Sequence, residues 1–217
     1  MKKHILKSVS FALLTAATLS SCDVLDVEPL DSYTEDVIFK DANLTEAYVT
    51  INYTRPRNGW SRYSLRFCCD ESMENFNYGG PWTINTGGMT PDQLGPLDIW
   101  ANYYSYIKNC NIFFNNLENL NSISQDKRDI LIGEATFFRA YYYMELVNNY
   151  GGVPLITRLF SLDDPEMMVK RDSYEDCVDF IVSEFTKAAQ LLPVRFTGAD
   201  FGRATNGAAL AMKARML

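Results

Sequence analysis

The residues best suited to chemistry lie in one loop, where a tryptophan and a carboxamide stand three positions apart. Trp82 and Asn85 form this pair, and the carboxylate of Asp70 stands upstream of them. Sugar rings present apolar C–H faces that stack on flat aromatic rings, and their hydroxyl groups need polar partners. The pattern predicts a glycan-binding loop, with Trp60 and Tyr78 as further candidate contacts. The alternative is that Trp82 packs the loop onto neighbouring helices.

Another possible use of this segment is hydrolysis of a glycosidic bond by paired carboxylates. Asp70, Glu71 and Glu74 lie close together in the sequence. Glycosidases need two carboxyl groups that flank the scissile bond, about 5–9.5 Å apart. Proximity within one loop does not indicate that two of these groups face each other across a cleft. We therefore expect a binding protein and not an enzyme.

The residue types also restrict metal and cofactor chemistry. The only histidine is His4, at the extreme N-terminus, so the rest of the chain cannot form a Ser-His-Asp triad or a His-bound zinc. No C-x-x-C spacing occurs. Asp163, Asp164 and Glu166 lack the glycine of an EF-hand calcium loop. We expect neither a bound metal nor a cofactor.

The first 21 residues have the features of an export signal. Three lysines precede a short apolar run at residues 9–19, which is too short to span a bilayer. The letters LSSC, which end at Cys22, match a bacterial lipobox, in which the leader is cut before a cysteine that becomes lipidated. We therefore expect a lipid anchor at Cys22. Residues 22–40, which are polar and acidic, are expected to form an extended tether.

Net charge argues against nucleic acid as a partner. Removing residues 1–21 takes away three lysines and no acidic residue, which leaves 17 basic and 27 acidic side chains and a net charge of −10. A polyanion would be repelled, and the sequence has no clustered basic stripe. A neutral ligand would carry no such penalty.

Hydrophobic periodicity predicts five helices, at about residues 41–53, 98–120, 124–150, 173–192 and from 205 to the last residue. Residues 54–97 are rich in glycine, proline and aromatic residues, so they are expected to form a long loop with some order near 65–70. The short link between the second and third helices predicts an antiparallel hairpin. The expected fold is all-α, with degenerate tetratricopeptide-like antiparallel helix hairpins over residues 41–217.

Several helical side chains are assigned to packing or structure. Asp41 is expected to cap the first helix, whose predicted buried stripe is Leu44, Ala47, Tyr48 and Ile51. The tyrosines at 141–143 have a spacing typical of a core. Glu134 and Arg139 stand five positions apart, which is not a same-face spacing on a helix. We expect these two residues to hold neighbouring loops or helices.

The cysteines after Cys22 fall into two groups. Cys110 and Cys177 lie on apolar helix faces, where a free cysteine behaves as a small hydrophobic residue. Cys68 and Cys69 could pair with them in an exported protein, and the sequence leaves this open.

Four motifs in a fixed order carry a resemblance to a known family. The segment from Gly133 to Leu155 reads GEATFFRAYYYMELVNNYGGVPL, and residues 202–215 read GRATNGAALAMKAR. A W-x-x-Y-x-x-x-I-x-x-x-N pattern begins at Trp100, and R-x-S-Y-E-x-C-x-x-F-I begins at Arg171. Together with the lipobox, these segments resemble the SusD/RagB family over about residues 19–217.

The resemblance implies a function that periodicity and spacing do not show. Members of that family are surface lipoproteins of Bacteroidetes that bind glycans and cap a TonB-dependent transporter of the SusC type. In the best-known starch-binding member, a Trp-x-x-Asn pair and an upstream aspartate contribute to the glycan site. Trp82, Asn85 and Asp70 match that arrangement. The expected location is the cell surface, on the outer membrane, through the lipid at Cys22.

Three alternatives remain open from the sequence. The helix hairpins could be a protein-binding scaffold without glycan affinity, the ligand could be a peptide or glycopeptide, or the fold could be a helical glycoside hydrolase. Family members are also longer than this chain, which leads to the hypothesis of an N-terminal fragment whose last helix lacks its partner. The identity of the glycan is not predicted.

Overall fold

A computed structural model describes residues 33–57, 65–73 and 80–217, and all structural statements refer to these residues. They contain seven α-helices and no β-strand: α1 Glu35–Lys40, α2 Ala42–Thr50, α3 Pro81–Asn85, α4 Trp100–Asn115, α5 Gln125–Tyr150, α6 Tyr174–Leu191 and α7 Asn206–Met216. Short 3₁₀ helices span Ile51–Thr54, Leu65–Phe67, Gly95–Leu97, Leu117–Asn119 and Gly198–Asp200. Residues from Asp36 onward form one compact unit. The predicted all-α class is confirmed.

Helix α5 is the centre of the fold. It packs against α4 on one side and α6 on another, and α6 packs in turn against α7. Helices α4 and α5 are joined by the short connection 116–124 and pack together, so they form an antiparallel hairpin. Helix α5 buries residues on nearly all of its faces, as expected for a helix surrounded by others.

The tyrosine cluster belongs to the core, as the spacing predicts. Three of these tyrosines are buried: Tyr103, Tyr142 and Tyr143. A buried hydroxyl group without a hydrogen-bond partner costs folding free energy. Tyr143 donates to the Ile156 carbonyl at 2.9 Å and accepts from its amide at 2.7 Å. Tyr142 donates to the Asn52 side chain at 3.0 Å. Burial raises the pKa of both phenols above its ordinary value, so they remain protonated.

The expectation of an extended tether at 22–40 is wrong for its last residues. Glu35–Lys40 forms helix α1. Phe39 is fully buried, with its ring 5.1 Å from that of Tyr48 and 6.3 Å from that of Phe113. Burial of an aromatic ring contributes about 2–3 kcal/mol to stability. This contribution offsets the conformational entropy that the short polar segment loses when it becomes helical.

The buried face of α2 also differs from the predicted stripe. Asp41 caps the helix as predicted and accepts from two backbone amides. However, Ala47 and Ile51 are exposed, and Thr45 and Val49 are buried. The Thr45 hydroxyl donates to backbone carbonyls at 2.9 and 2.8 Å, so its burial leaves no unpaired polar group. Leu44 and Tyr48 are half-buried, and Tyr48 packs against Phe39, so hydropathy identified only part of the buried face.

Helix α5 ends at two glycines, and each position requires glycine for a different structural reason. Gly151 has a φ of 73°, which favours glycine, and its amide bonds to the Val147 carbonyl. A Cβ at Gly152 would collide with the backbone carbonyl of Asp172. Glycine at this position therefore allows the chain to pass close to the residues that precede α6. Arg171 joins the two segments by donating hydrogen bonds to the carbonyls of Tyr150 and Gly152.

Glu134 and Arg139 bind partners far away in the sequence and not each other. Glu134 is fully buried and accepts two hydrogen bonds from Arg203, at 2.7 and 2.6 Å. It also accepts from the Tyr53 hydroxyl at 2.6 Å. Arg139 donates twice to Glu184, at 2.8 and 2.6 Å. The expectation that both residues hold neighbouring loops and helices is confirmed.

The Glu134–Arg203 pair organises a wider charged network. Arg203 also donates to Glu46 at 2.8 Å and to Asp200 at 2.8 Å, and these carboxylates raise its pKa further. Tyr53 accepts from the Ala204 amide at 2.7 Å. The network therefore ties the region after α2, the middle of α5 and the loop before α7 into one unit.

Replacing Glu46 by glutamine should weaken the fold more at neutral than at acidic pH. Hydrogen bonds from Lys127, at 2.6 Å, and from Arg203 lower the pKa of Glu46 below its ordinary 4.5. A carboxylate with a lowered folded pKa adds stability above the unfolded pKa, and that stability is lost as the pH falls through the folded value. We expect a loss of about 1 kcal/mol at pH 7 that shrinks towards pH 3.

Urea unfolding at a series of pH values measures this effect. Glu118→Gln is the matched control, because Glu118 is exposed and has no ion pair among the described residues. A difference between wild type and Glu46→Gln that does not change with pH would contradict the assignment.

The four cysteines in the described residues are free thiols. Cys110 and Cys177 are buried, as predicted, and burial raises the pKa of the Cys110 thiol to about 12. Cys177 bonds to the backbone of Val153. The disulfide pairing that the sequence left open for Cys68 and Cys69 is not formed.

Candidate functional site

The segment between α3 and α4 surrounds an open cleft of about 620 Å³. The described residues of its lining combine one aromatic ring with many hydrogen-bonding groups: Gly80, Trp82, Thr83, Thr86, Gly88, Asp92, Gln93, Leu94, Gly95 and Asp98. Ligand sites are concave and combine apolar surface with a few placed polar groups. This cleft has both properties, and it lies in the loop where the sequence predicts a glycan site.

Helix α3 carries Trp82, which lines the cleft, and hydrogen bonds stabilise a tight turn at the C-terminal end of the helix. The Thr86 hydroxyl donates to the Trp82 carbonyl at 2.8 Å, and the Gly88 amide donates to the Thr83 carbonyl at 2.8 Å. Gly87 has a φ of 69°, which allows the chain to reverse there. These bonds hold the backbone of the short element that carries Trp82 and the two threonines.

The opposite wall is attached to the helical core. The Tyr150 hydroxyl donates to the Leu97 carbonyl at 2.9 Å and accepts from the Ile99 amide at 3.0 Å. Ile99 is buried at the start of α4. The last turn of α5 therefore fixes the position of this wall, including Asp98 between these two residues.

Trp82 differs from Trp100 in its surroundings. The Trp100 ring lies 5.0 Å from that of Tyr104 and 5.2 Å from that of Tyr150, and Arg171 covers it at 5.2 Å. Trp82 is half-buried, lines the cleft and has no ring partner among the described residues. Trp100 therefore serves packing, whereas part of the Trp82 indole is available to a ligand.

The structure separates the other predicted site residues from the cleft. Asn85 uses its amide to donate to the Phe67 carbonyl at 2.6 Å, so it joins α3 to the preceding segment. Asp70 is exposed, and neither residue lines the cleft. Trp60 and Tyr78 lie outside the described residues, as do the lipobox and Cys22.

Sequence reasoning missed the polar part of the lining. Asp92, Gln93 and Asp98 come from the turn and the 3₁₀ helix that precede α4. The available signal was the density of glycine and proline between residues 79 and 96, which indicates a folded loop with several turns. That signal does not identify which side chains point inward.

Replacing Gly95 by alanine should disturb the cleft more than the same change at Gly87. Both residues have positive φ, 58° and 69°, so each change carries a similar backbone cost of about 1–2 kcal/mol. A Cβ at Gly95 would also lie 2.8 Å from the Gly80 carbonyl oxygen, whereas one at Gly87 meets nothing within 4 Å. We expect faster amide hydrogen exchange at Gly88 in Gly95→Ala than in Gly87→Ala. Equal exchange in the two variants would contradict this account.

A second groove of about 560 Å³ lies along the connection between α5 and α6. Within it, Arg158 binds Asp164 and Glu166. Two of the three carboxylates in the Asp163–Glu166 run therefore neutralise an arginine. No cluster of three potential metal ligands occurs among the described residues.

The helices of the described residues are too short or too polar to cross a membrane. The expected membrane contact through a lipid at Cys22 remains a prediction.

The helix hairpins and the inserted loop place the chain in a class of all-α proteins, and the comparisons identify the family. A family described as "Starch-binding associating with outer membrane" matches residues 23–217. The chain belongs to this SusD-like family, as its sequence motifs predict.

Named relatives show the same relationship. The chain is 27% identical over 205 residues to SusD-like protein P38 of Formosa agariphila, covering 89% of this chain and 39% of that protein. A SusD-like protein of Bacteroides fragilis aligns with a TM-score of 0.70 and 29% identity, over 88% of this chain and 37% of its own. A SusD-like carbohydrate binding protein of the same strain aligns with a TM-score of 0.65 and 26% identity, over 82% and 37%. The chain thus spans about two fifths of the length of these proteins.

Proposed function

We propose that this protein captures glycans at the bacterial cell surface by stacking a sugar ring on Trp82. It binds its ligand without making or breaking a covalent bond. The lipid at Cys22 holds it on the outer membrane, and a SusC-like TonB-dependent transporter receives the glycan. The ligand is an oligosaccharide or polysaccharide.

The observation that carries the proposal is the accessible indole in a polar cleft. Trp82 offers a flat apolar surface, and the surrounding threonine, glutamine and aspartate side chains offer donors and acceptors for sugar hydroxyls. The cleft is open to solvent, which suits a polymer that extends beyond the bound residues. Membership of a family described as starch-binding supports the same ligand class.

The membrane location and the transporter partner rest on other support. The lipobox at Cys22 supports surface anchoring, and the family description includes association with the outer membrane. The transporter partner follows from family resemblance alone.

A protein-binding scaffold is the principal alternative, with a peptide or glycopeptide ligand as a variant of it. The loop between α5 and α6 exposes apolar side chains, notably Leu162 and Met168, which are 95% and 92% exposed. Surface methionines suit adaptable protein contacts. This alternative predicts binding that is unaffected by changes in the Trp82 cleft.

Calorimetric titration with a panel of plant, host and microbial polysaccharides tests the proposal. The purified chain should bind at least one polymer, and reducing-end assays should show no hydrolysis of it. A folded chain that binds none of the polymers would refute glycan capture by this chain. Release of new reducing ends would instead favour the hydrolase.

A further inference from the structure

The charge of the residues that line the cleft should determine which glycans can bind there. Of the ten described residues that line it, two, Asp92 and Asp98, are acidic, and none of the ten is lysine or arginine. Both aspartates are exposed to solvent and have no ion pair among the described residues. The cleft is therefore negative, in addition to the net charge of −7 of the whole chain.

The backbone at the two aspartates is held by local hydrogen bonds. Asp92 lies in a turn in which the Gln93 amide donates to the Thr90 carbonyl at 2.9 Å. Asp98 follows the 3₁₀ helix Gly95–Leu97, and its amide donates to the Gly95 carbonyl at 3.2 Å. Neither backbone position can move away from the cleft without breaking these bonds.

Two arginines on described segments next to α3 and α4, Arg66 and Arg171, do not compensate this charge. Arg171 binds backbone carbonyls at the end of α5 and covers the Trp100 ring. Arg66 lies over the ring of Phe67, at 4.5 Å. Neither arginine lines the cleft.

We infer that the cleft selects neutral glycans and rejects uronic-acid or sulfated polymers, with Asp92 and Asp98 as the selectivity residues. This inference rests on the proposed function. A carboxylate or sulfate group on a sugar is repelled by an aspartate that lies within a few ångströms of it. Water and salt ions in the open cleft screen this repulsion in part but do not remove it. Each aspartate should weaken binding of an anionic sugar by about five-fold at low salt. Their side-chain oxygens can accept hydrogen bonds from the hydroxyls of a neutral sugar.

Matched pairs of polymers with the same backbone test the inference by calorimetry in 20 mM salt. The pairs are dextran and dextran sulfate, and hydroxyethyl cellulose and carboxymethyl cellulose. Wild type should bind the neutral member of a pair at least ten-fold more tightly than the anionic one. Raising the salt to 0.5 M should reduce this ratio, because charges at an exposed site are screened.

The double variant Asp92→Asn/Asp98→Asn should reduce the neutral-to-anionic ratio by at least five-fold. The control Asp163→Asn/Asp179→Asn removes the same charge at exposed positions outside the cleft and should leave the ratio unchanged. A ratio that falls equally in both variants would assign the selectivity to net charge and overturn the inference.

The outcomes separate this inference from the proposed function. Binding of an anionic polymer in preference to its neutral partner, with loss in Trp82→Ala, would overturn the inference and leave glycan capture intact. Binding of no polymer at all would overturn both.

Discussion

Arg203→Ala should lower the free energy of unfolding by about 3–5 kcal/mol, the largest effect that we expect from a single substitution. Arg203 makes two hydrogen bonds to Glu134, which has no exposure to solvent. Removing the guanidinium leaves a buried carboxylate whose remaining hydrogen bond in the network comes from Tyr53. The cost arises from the uncompensated charge and exceeds the net contribution of the intact pair.

Thermal and urea unfolding measure the effect. For a chain of this size, a loss of 3–5 kcal/mol should lower the midpoint of thermal unfolding by about 6–20 °C. Arg195→Ala is the matched control, because Arg195 is exposed in the same connection and has no ion pair among the described residues. We expect that control to be within about 0.5 kcal/mol of wild type.

A second variant distinguishes the effect of the positive charge at position 203 from that of the hydrogen-bond geometry. It also keeps the prediction testable if Arg203→Ala does not fold. Arg203→Lys retains the positive charge but cannot make the two parallel bonds to Glu134. It should have a stability between those of wild type and Arg203→Ala. If Arg203→Ala were as stable as the Arg195 control, the assignment of this network as a structural centre would be wrong.

Trp82→Ala should weaken binding of the cognate glycan by at least 30-fold. Aromatic residues at the centre of a binding site commonly contribute 2 kcal/mol or more, which corresponds to about that factor. Among the described residues that line the cleft, the indole is the only aromatic ring, so no other ring of that described lining can replace it. Stability should change little, because Trp82 is only half-buried and α3 is held by backbone bonds.

Two further variants make this result specific. Trp82→Phe keeps a flat ring and should retain part of the affinity. Phe201→Ala removes an aromatic ring that is 81% exposed and lies outside the cleft, so its affinity should equal that of wild type. If Phe201→Ala lost as much affinity as Trp82→Ala, binding could not be assigned to the cleft.

The helices were predictable because their signals are local. Ser173 caps α6 by accepting from the Asp176 amide at 3.0 Å, and both residues are visible in the sequence as a capping pattern. The glycines after Tyr150 mark the end of α5 in the same way. In contrast, the buried face of α2 was only partly predicted, because the burial of Thr45 depends on a hydrogen bond to a carbonyl seven residues away.

The partners of charged residues and the shape of the cleft could not be predicted. Glu134 and Arg203 are 69 residues apart, and no periodic pattern links them. The cleft depends on the backbones of Gly80 and Gly95 lying in contact, which is decided by tertiary structure. For the same reason the sequence pointed to Asn85, whose amide is bonded to Phe67, and not to Asp92 or Asp98.

Nuclear magnetic resonance of the tryptophan indoles gives the most direct test of the central claim, that a glycan stacks on Trp82. The chain has three tryptophans and therefore three indole N–H signals, and Trp82→Phe and Trp60→Phe assign them. During titration with an oligosaccharide of the polymer bound by the chain, the Trp82 signal should shift progressively while that of Trp100 remains in place. A Trp82 signal that does not move as the ligand binds would contradict the account.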